Sequence, residues 1–575
     1  MSTTVTGKNQ GASAPSPLTA VVDYAVSSHA RAVAVLVLTA LLAFLPGFFQ
    51  ISPTDRDEAR FAQASKQMLE TGEYVDIHYQ DEVRYKKPVG IYWLQVGAVK
   101  AARALGVRDA QTTIWIYRIP SLSGAIGAVL LTYWAALAFV SRRAAVLAGL
   151  MMATSILLGV EARLAKTDAM LLLTTTTAMG ALARAYLADR KAVPPGAAGW
   201  VLPGIFWTAL AAGMLIKGPL IVMFVGLCVL ALAAVDRSIK WLWALKPIPG
   251  AIWFCILVLP WFLAIMGRAG NAFLAESVGH DLLSKIISVQ EAHGAPPGYY
   301  LLLFWLTFWP GATLALMAVP GIWNARREKG AKFLLAWIIP AWILLELVIT
   351  KLPHYVLPLY PAIAILIAGV VDTRVLARQP WLTRGTGTWF FMPMMLGVGL
   401  VVVSIVFSRQ LALLAWPFFV ASMIFGLWAW RLYAADGAEH SLLRGFLAAI
   451  LLAFGSYAFV IPSLYTAFPS AAVAQMLREA NCKNPVLAAA GYHEPSLVFL
   501  VGTGTKLVDG SDAADFLRAG GCRFALVEKG NERAFLRRAE QIGLRYMAPQ
   551  RFDGYNYSSG RAISLGVYQA AEAAP

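Results

Sequence analysis

Residues 32–51, AVAVLVLTALLAFLPGFFQI, contain no charged side chain. A helix needs about 20 apolar residues to cross the hydrocarbon core of a bilayer, so this stretch is predicted to span a membrane. The whole chain has the same character, since 58% of its 575 residues are hydrophobic and 14% are charged. Soluble globular domains carry roughly 45–50% apolar and about 25% charged residues. The composition therefore excludes a soluble enzyme, a disordered chain and a fibrous protein, and it indicates a polytopic membrane protein.

Similar apolar runs recur along the chain and predict about thirteen membrane spans in all. The predicted fold class is a polytopic α-helical membrane domain followed by a soluble α/β domain. The apolar runs lie at residues 32–51, 119–140, 144–160, 168–188, 200–216, 218–235, 250–267, 299–323, 332–350, 355–371, 389–408, 411–431 and 442–463.

The loops between these runs differ in charge, and the difference predicts the orientation of the chain. Loops after the even-numbered spans are short and basic, as Arg142 and Arg143 after the second span illustrate. Cytoplasmic loops carry an excess of Lys and Arg, so these loops and a tail over residues 1–31 are predicted to be cytoplasmic. An odd number of spans then puts the C-terminal part outside. The basic loops account for much of the net charge of +16, and we expect no nucleic-acid partner.

The predicted transmembrane domain covers residues 32–463 and has two long outer loops, at 52–118 and 268–298. In the first loop, apolar residues at helical spacing predict two amphipathic helices along the membrane surface, at 58–70 and 88–105. Residues 464–575 lack long apolar runs and are predicted to form the α/β domain. Cys482 and Cys522 in this domain can pair if the domain lies outside the cytoplasm. Strands are predicted at 485–491, 496–502 and 524–530, and helices at 472–480, 511–519 and 531–542.

Ionisable residues gather at the predicted outer ends of the spans. Charge at a membrane boundary is costly to bury, so such residues are the first candidates for function. The group Asp55–Arg60 follows the first span and includes Asp57 and Glu58, although carboxylates here can also simply cap a helix N-terminus. The group Arg84–Pro88, RYKKP, is basic on the outer side, which indicates an anionic ligand such as a lipid phosphate.

Three more groups lie at other outer turns. EARLAKTD, residues 161–168, brings two acids and two bases together and ends on Asp168, which can also cap the helix that follows. KLPHYVLPLYP, residues 351–361, is an outer turn bounded by two prolines, and it presents Lys351, His354 and Tyr355. Lys217 is an isolated cation at an outer turn.

The second outer loop holds a collection of histidines and carboxylates, among them Glu276, His280 and His293. Side chains of these types can hold a divalent metal ion, although their spacing matches no zinc signature. A divalent metal site is therefore one interpretation of this loop. The rest of the sequence requires no cofactor.

Acids surrounded by cations on one face of a membrane suit a reaction between lipids. The cations would hold a lipid phosphate as it departs, and a carboxylate would orient or deprotonate the acceptor. A transporter or flippase is the alternative of another class, and it would carry charges near the bilayer midplane, often within internal repeats. The charges of this chain lie at predicted helix ends and no repeat is visible, which favours an enzyme.

Several of these segments resemble one known family. DEARFAQASKQMLETGEYV (57–75), followed by YKKPVGIYWLQ (85–95), is similar to the first outer loop of the dolichyl-phosphate-mannose mannosyltransferase-like GT-C glycosyltransferases. KGP (217–219) and KLPHYVLPLYPAIAIL (351–366) are similar to later motifs of that group. Within the group, the chain most resembles bacterial transferases that attach 4-amino-4-deoxy-L-arabinose to lipid A. The C-terminal domain matches only in size and position.

The resemblance implies a polyprenyl-phosphate-linked sugar as donor and assigns residues to its transfer. Asp57 would be the catalytic acid, with Asp55 as a competitor two residues earlier and Asp168 as a second catalytic carboxylate. Glu58 completes the acidic pair with Asp57. Residues expected around the donor phosphate are Arg60, Tyr85, Lys86, Lys87, Lys217, Lys351 and Tyr355. The family often has an acid where this chain has Lys86, so no role for that acid carries over.

These inferences predict a glycosyltransferase of the bacterial inner membrane with its active site at the periplasmic face. It would move aminoarabinose from undecaprenyl phosphate to a lipid A phosphate. Lipid A would become less anionic and would bind cationic antimicrobial peptides more weakly. The expected partners are the lipid-linked sugar, lipid A and membrane lipids. A related transferase with a protein or core-oligosaccharide acceptor is the alternative within the class.

Overall fold

A computed structural model describes residues 17–571 except 55, 189–197, 271–272, 274–293, 378, 481 and 483. The apolar runs form helices. Two strands of two residues each, β1 (His78–Tyr79) and β2 (Glu82–Val83), form a hairpin in the first outer loop. The helices of the amino-terminal half are α1 Pro17–Val26, α2 His29–Phe44, α3 Arg56–Thr71, α4 Gly90–Ala104, α5 Ile114–Ala136, α6 Arg142–Thr154, α7 Ile156–Glu161, α8 Asp168–Leu187, α9 Ala198–Lys217, α10 Leu220–Asp236 and α11 Pro247–Ala269.

The helical region continues to residue 463 with shorter turns between its helices. A 3-10 segment, Pro353–Leu359, leads directly into the next α-helix, so the KLPHY motif lies at the start of an apolar helical segment that runs to Asp372. The helices are α12 Tyr299–Thr307, α13 Ala315–Ala325, α14 Lys329–Leu347, α15 Tyr360–Asp372, α16 Pro380–Arg384, α17 Thr388–Ser408, α18 Trp416–Arg431, α19 Tyr433–Ala453 and α20 Ile461–Ser463.

Eight helices in the described part of the chain are long and apolar enough to cross a membrane. The number becomes nine if the bent pair Tyr299–Thr307 and Gly311–Ala325, which turns by 115°, forms one span. The apolar helices α2 and α10 are 16 and 17 residues long and fall just below the usual spanning length. The multi-pass membrane architecture is confirmed, and the total of thirteen spans stays a prediction.

Loops that the sequence assigns to the cytoplasm contact one another. Arg143 donates hydrogen bonds of 2.6 Å to Asp23 and to Glu439, which joins α1, the start of α6 and α19. Lys332 donates to Asp236 at 2.6 Å, which joins the start of α14 to the end of α10. These acids satisfy part of the basic charge and tie the helix ends of one side together.

Residues 469–569 form the α/β domain. Its five-stranded sheet has the order β4-β3-β5-β7-β6, in which β3 is parallel to β4 and β5 while β7 is antiparallel to β5 and β6. Cys482 and Cys522 form a disulfide beside this sheet. The elements are α21 Pro469–Glu479, β3 Val486–Ala490, α22 Pro495–Val501, β4 Lys506–Val508, α23 Gly510–Arg518, β5 Arg523–Glu528, α24 Lys529–Gln541, β6 Gln550–Asn556 and β7 Arg561–Gln569.

One of the local predictions is wrong. Residues 496–502 form the helix α22 instead of a strand, because a short apolar run fits either structure and Pro495 occupies the first turn of a helix readily. The predicted cytoplasmic tail contains the helix α1, on which Val22 and Ala25 are buried. The other predicted strands and helices of the α/β domain are confirmed within a few residues.

Candidate active site

Helix α3 carries the first acidic group and lies where the sequence predicts an amphipathic surface helix. Phe61, Ala64 and Met68 are buried on one side of α3, in a cluster that includes Tyr92 and Val96 of α4. The first turn of α3 holds Asp57 and Glu58. Packing of the apolar side therefore fixes where these two carboxylates lie.

Glu58 is enclosed by hydrogen bonds. Its side chain is 0% exposed and accepts from Arg118 Nε at 2.6 Å and from Arg118 Nη2 at 3.0 Å. It also accepts from the backbone N–H groups of Thr54 at 2.9 Å and Ala165 at 3.0 Å. Burial alone would raise the pKa of Glu58, but Arg118 and these N–H groups bring that pKa below its ordinary value. Glu58 is thus an ionised carboxylate that joins three segments of the chain. This arrangement indicates a structural role and leaves no side of the carboxylate open to a substrate.

Asp57 and Arg60 lie at the more accessible side of the same helix turn. The Asp57 side chain is 46% exposed, and its Oδ1 lies 3.8 Å from Arg60 Nη1. Arg56, one residue before Asp57, instead forms a bidentate pair with Glu494 of the α/β domain. Asp57 therefore has the exposure that a group acting on a substrate needs, whereas Glu58 does not.

A second cluster forms at the start of α8 and centres on Asp168. The Asp168 side chain is 3% exposed and accepts a hydrogen bond from Lys217 Nζ at the end of α9. His354 Nε2 lies 3.6 Å from Asp168 Oδ1, and His354 Nδ1 lies 3.6 Å from Glu161 Oε1. Lys217 Nζ also lies 5.6 Å from the centre of the Tyr355 ring. Four separate segments thus bring acids, cations and a phenol together in one buried place.

The basic turn of the first outer loop packs against the same place. A Cβ at Gly90 would lie 2.7 Å from the carbonyl oxygen of Leu215, and Pro88 Cγ lies 3.9 Å from the position that a Cβ would take at Gly218. Lys87 is close enough to His354 to act on it electrostatically, as Lys166 and Lys217 do. The YKKP and KGP motifs, far apart in sequence, are therefore neighbours beside Asp168.

Other residues expected around a donor phosphate are arranged differently. Tyr85 is buried against Phe273, with ring centres 5.6 Å apart, and burial raises the pKa of Tyr85 to about 12. Lys351 is buried and donates to the carbonyl of Val348 at 2.5 Å. Lys86 is exposed next to Lys87. The geometry therefore favours Lys87, Lys217 and Tyr355 over these three.

Some predicted residues lie outside the described part of the chain, namely Asp55, Glu276, His280 and His293. Within the described part, one group of three residues has the geometry to hold a metal ion. Glu161, Asp168 and His354 are all buried, and each offers a ligand atom within 4.8 Å of the others. Two carboxylates and an imidazole suit a divalent ion, but the ammonium group of Lys217 already neutralises Asp168.

Two residues of this region were not assigned a role from the sequence. Arg118 is buried near the start of α5 and donates to Glu58 and to the carbonyls of Ile51 and Ser52. A signal was present, because Arg118 directly precedes a predicted span on the outer side, where basic residues are scarce. His354 was named only as part of the segment 351–361, since nothing in the sequence reveals its distance from Asp168.

Comparison with known proteins gives related sequences. The family model of dolichyl-phosphate-mannose-protein mannosyltransferases matches residues 34–271. The undecaprenyl phosphate-alpha-4-amino-4-deoxy-L-arabinose arabinosyl transferase of Pectobacterium carotovorum is 27% identical over 385 residues, which are 64% of this chain and 66% of that protein. The protein of the same name from Edwardsiella ictaluri is 29% identical over 349 residues, or 59% and 58% of the two chains. The aligned part thus spans just under two thirds of these relatives or less.

Solved structures give a match over nearly the whole chain. ArnT from Cupriavidus metallidurans in the apo state has a TM-score of 0.71 at 18% identity, and the match covers 94% of this chain and 98% of that one. The same protein bound to undecaprenyl phosphate has a TM-score of 0.69, with 93% and 97% covered. The chain therefore shares the membrane fold of this solved protein, and its sequence is similar to those of the curated aminoarabinose transferases.

Proposed function

We propose that this protein is a polyprenyl-phosphate-sugar-dependent glycosyltransferase. It transfers aminoarabinose from undecaprenyl phosphate to a phosphate of lipid A. The curated relatives carry that activity in their names, and the solved protein of the same fold binds undecaprenyl phosphate. The structural observation that carries the proposal is the cluster of Asp168, Lys217, His354 and Tyr355 beside Lys87.

The donor end of the reaction uses the cations. The bond between the sugar C1 and the donor phosphate oxygen breaks, and its electron pair stays on the phosphate. Lys87 and Lys217 offset the charge that develops on this phosphate, and the Tyr355 hydroxyl donates to it. An ammonium group has three N–H donors, so Lys217 can bind Asp168 and a phosphate oxygen at once.

The acceptor end needs little proton transfer. A lipid A phosphate is already ionised at neutral pH, so one of its oxygens can form the new bond to C1 without a strong general base. Asp57 orients the incoming groups or stabilises positive charge at C1, as carboxylates do in glycosyl transfer. Asp168 holds Lys217 in place, and its negative charge also stabilises the positive charge at C1.

The proposed setting is the periplasmic side of the bacterial inner membrane, with the N-terminus in the cytoplasm. The basic loops on the other side support this orientation. The Cys482–Cys522 disulfide also supports it, because disulfides persist in the periplasm and are rare in the cytoplasm.

Mass spectrometry of lipid A from cells with and without the protein tests the proposal. We expect a mass shift of one aminoarabinose that disappears in Asp57→Asn and in Asp168→Asn, while both variants still insert into the membrane. Full activity in both variants would contradict the site. An unchanged lipid A spectrum together with a newly glycosylated protein or core oligosaccharide would support the alternative acceptor instead.

A further inference from the structure

One segment of the α/β domain, residues 494–505, contacts the helix that carries Asp57, and we name it the docking segment. It consists of Glu494, the helix α22 and the turn that leads into β4. Arg56 donates to both carboxylate oxygens of Glu494, at 3.0 and 3.2 Å, although the two residues are separated by 438 positions in sequence. Asn556 of β6 donates to the same carboxylate at 2.9 Å. Glu494 is therefore held from its own domain and from α3.

Further along α3, the contacts to the docking segment are buried. Gln63, which is 0% exposed, donates to Thr503 Oγ1 at 2.7 Å. Lys66 is 3% exposed and donates to the carbonyl of Phe499 at 3.1 Å. Burial lowers the pKa of Lys66, with Glu70 acting in the opposite direction. These polar groups would lose their protein partners if the domain moved away.

An apolar contact reinforces the polar ones. Phe499 is fully buried, and its ring centre lies 5.2 Å from that of Tyr117 on α5. It belongs to a cluster that includes Ala62 of α3 and Ala165, three residues before Asp168. The tip of the domain thus fills the space between α3 and the segment that ends at Asp168.

We propose that the docking segment positions Asp57 for sugar transfer. It does so by holding α3 in place, which fixes the direction of the Asp57 side chain. This proposal rests on the proposed function of the site. Arg56 directly precedes Asp57, and the remaining contacts lie at residues 63, 66 and 70, on one side of α3. A displacement of about 1 Å at a reacting group can cost about 100-fold in rate. Glu494 acts through Arg56 and touches no substrate.

Charge reversal tests the proposal in the full-length protein. Glu494→Arg and Arg56→Glu should each lower kcat at least about 10-fold, because each removes the ion pair beside Asp57. KM for the lipid-linked sugar should change much less, and the double variant should regain most of kcat. The matched control is Asp515→Arg, which breaks the 3.0 Å ion pair with Arg538 inside the same domain and away from α3. It should leave kcat unchanged.

Hydrogen exchange of the α3 backbone supplies a measurement that does not depend on the reaction. We expect faster exchange over residues 56–71 in Glu494→Arg and in Arg56→Glu, but not in Asp515→Arg. Unchanged exchange, or a loss of kcat that follows the loss of folded protein, would overturn the proposal. If exchange responds as expected but the unmodified protein transfers no aminoarabinose, the proposed function fails while the mechanical link between the domain and α3 stands.

Discussion

Two acidic residues that are neighbours in sequence, Asp57 and Glu58, have opposite environments. Glu58 is fully buried and bound by Arg118, whereas the Asp57 side chain is 46% exposed. The sequence predicted both as catalytic candidates, because adjacent positions in a helix do not reveal which side chain is buried. The difference in exposure therefore favours Asp57 over Glu58 as the carboxylate that meets a substrate.

Glu58→Gln should mainly affect stability. It removes the charge partner of a buried arginine, and breaking a buried ion pair on one side costs about 3 kcal/mol or more. Thermal unfolding in detergent should show a clear decrease in Tm. Transfer per folded molecule should stay within a few-fold of the original. A large loss of transfer at unchanged Tm would instead assign Glu58 to the chemistry.

The Glu161, Asp168 and His354 group gives a prediction about metal dependence. Lys217 already forms an ion pair with Asp168, and an ammonium group bound to one of the ligand carboxylates opposes the binding of a divalent cation. We expect transfer in purified protein to be insensitive to a chelator such as EDTA. If a chelator abolishes transfer and a divalent ion restores it, the three residues hold a metal, which His354→Asn would then weaken.

At the scale of elements, the contact between the start of α4 and the end of α9 assembles the basic part of the site. Gly90 begins α4 and touches the backbone of Leu215. That contact is two residues from Pro88 on one side and two residues from Lys217 on the other. It sets the distance between the two motifs that supply Lys87 and Lys217.

Gly90→Ala should therefore weaken donor binding. The new Cβ would lie 2.7 Å from a backbone oxygen, so one of the two helices must shift. We expect KM for the lipid-linked sugar to rise about 10-fold or more, since even small displacements are costly at a reacting site. Gly97→Ala on the same helix is the matched control, because nothing lies within 4 Å of a Cβ there. Equal behaviour of the two variants would contradict this account.

The sequence predicted elements well where pattern alone decides them. Long apolar runs became helices, and the amphipathic helix at 58–70 lies within α3. The strand predicted at 496–502 was wrong. This segment is a helix that packs against α3, and the local sequence pattern carries no information about that contact. The pairings of Arg118 with Glu58 and of His354 with Asp168 could not be predicted either, since they depend on how distant segments pack.

At the scale of the whole molecule, the α/β domain and the membrane region act on each other through the docking segment. The Cys482–Cys522 disulfide closes a loop of 40 residues in which this segment lies. By the chain-entropy estimate, such a crosslink contributes about 4 kcal/mol to the stability of the folded domain. The disulfide therefore stabilises the domain that holds the docking segment against α3.

Replacing both cysteines by serine should lower the temperature at which the domain unfolds and make residues 494–505 easier to cleave by protease. Limited proteolysis followed by mass spectrometry measures this. Cys255→Ser is the control, because that thiol is exposed on α11 and forms no disulfide. Equal protease resistance of the double serine variant and the control would show that the crosslink adds little.

The separation of 438 residues between Arg56 and Glu494 also has a consequence for biosynthesis. Helix α3 leaves the ribosome early, and its partner is made near the end of translation. At about 5–20 residues per second, α3 waits roughly 20–90 s with Gln63 and Lys66 uncovered. The nascent chain inserts most of its membrane helices during that interval, yet the reaction centre takes its final shape only when the last domain has folded.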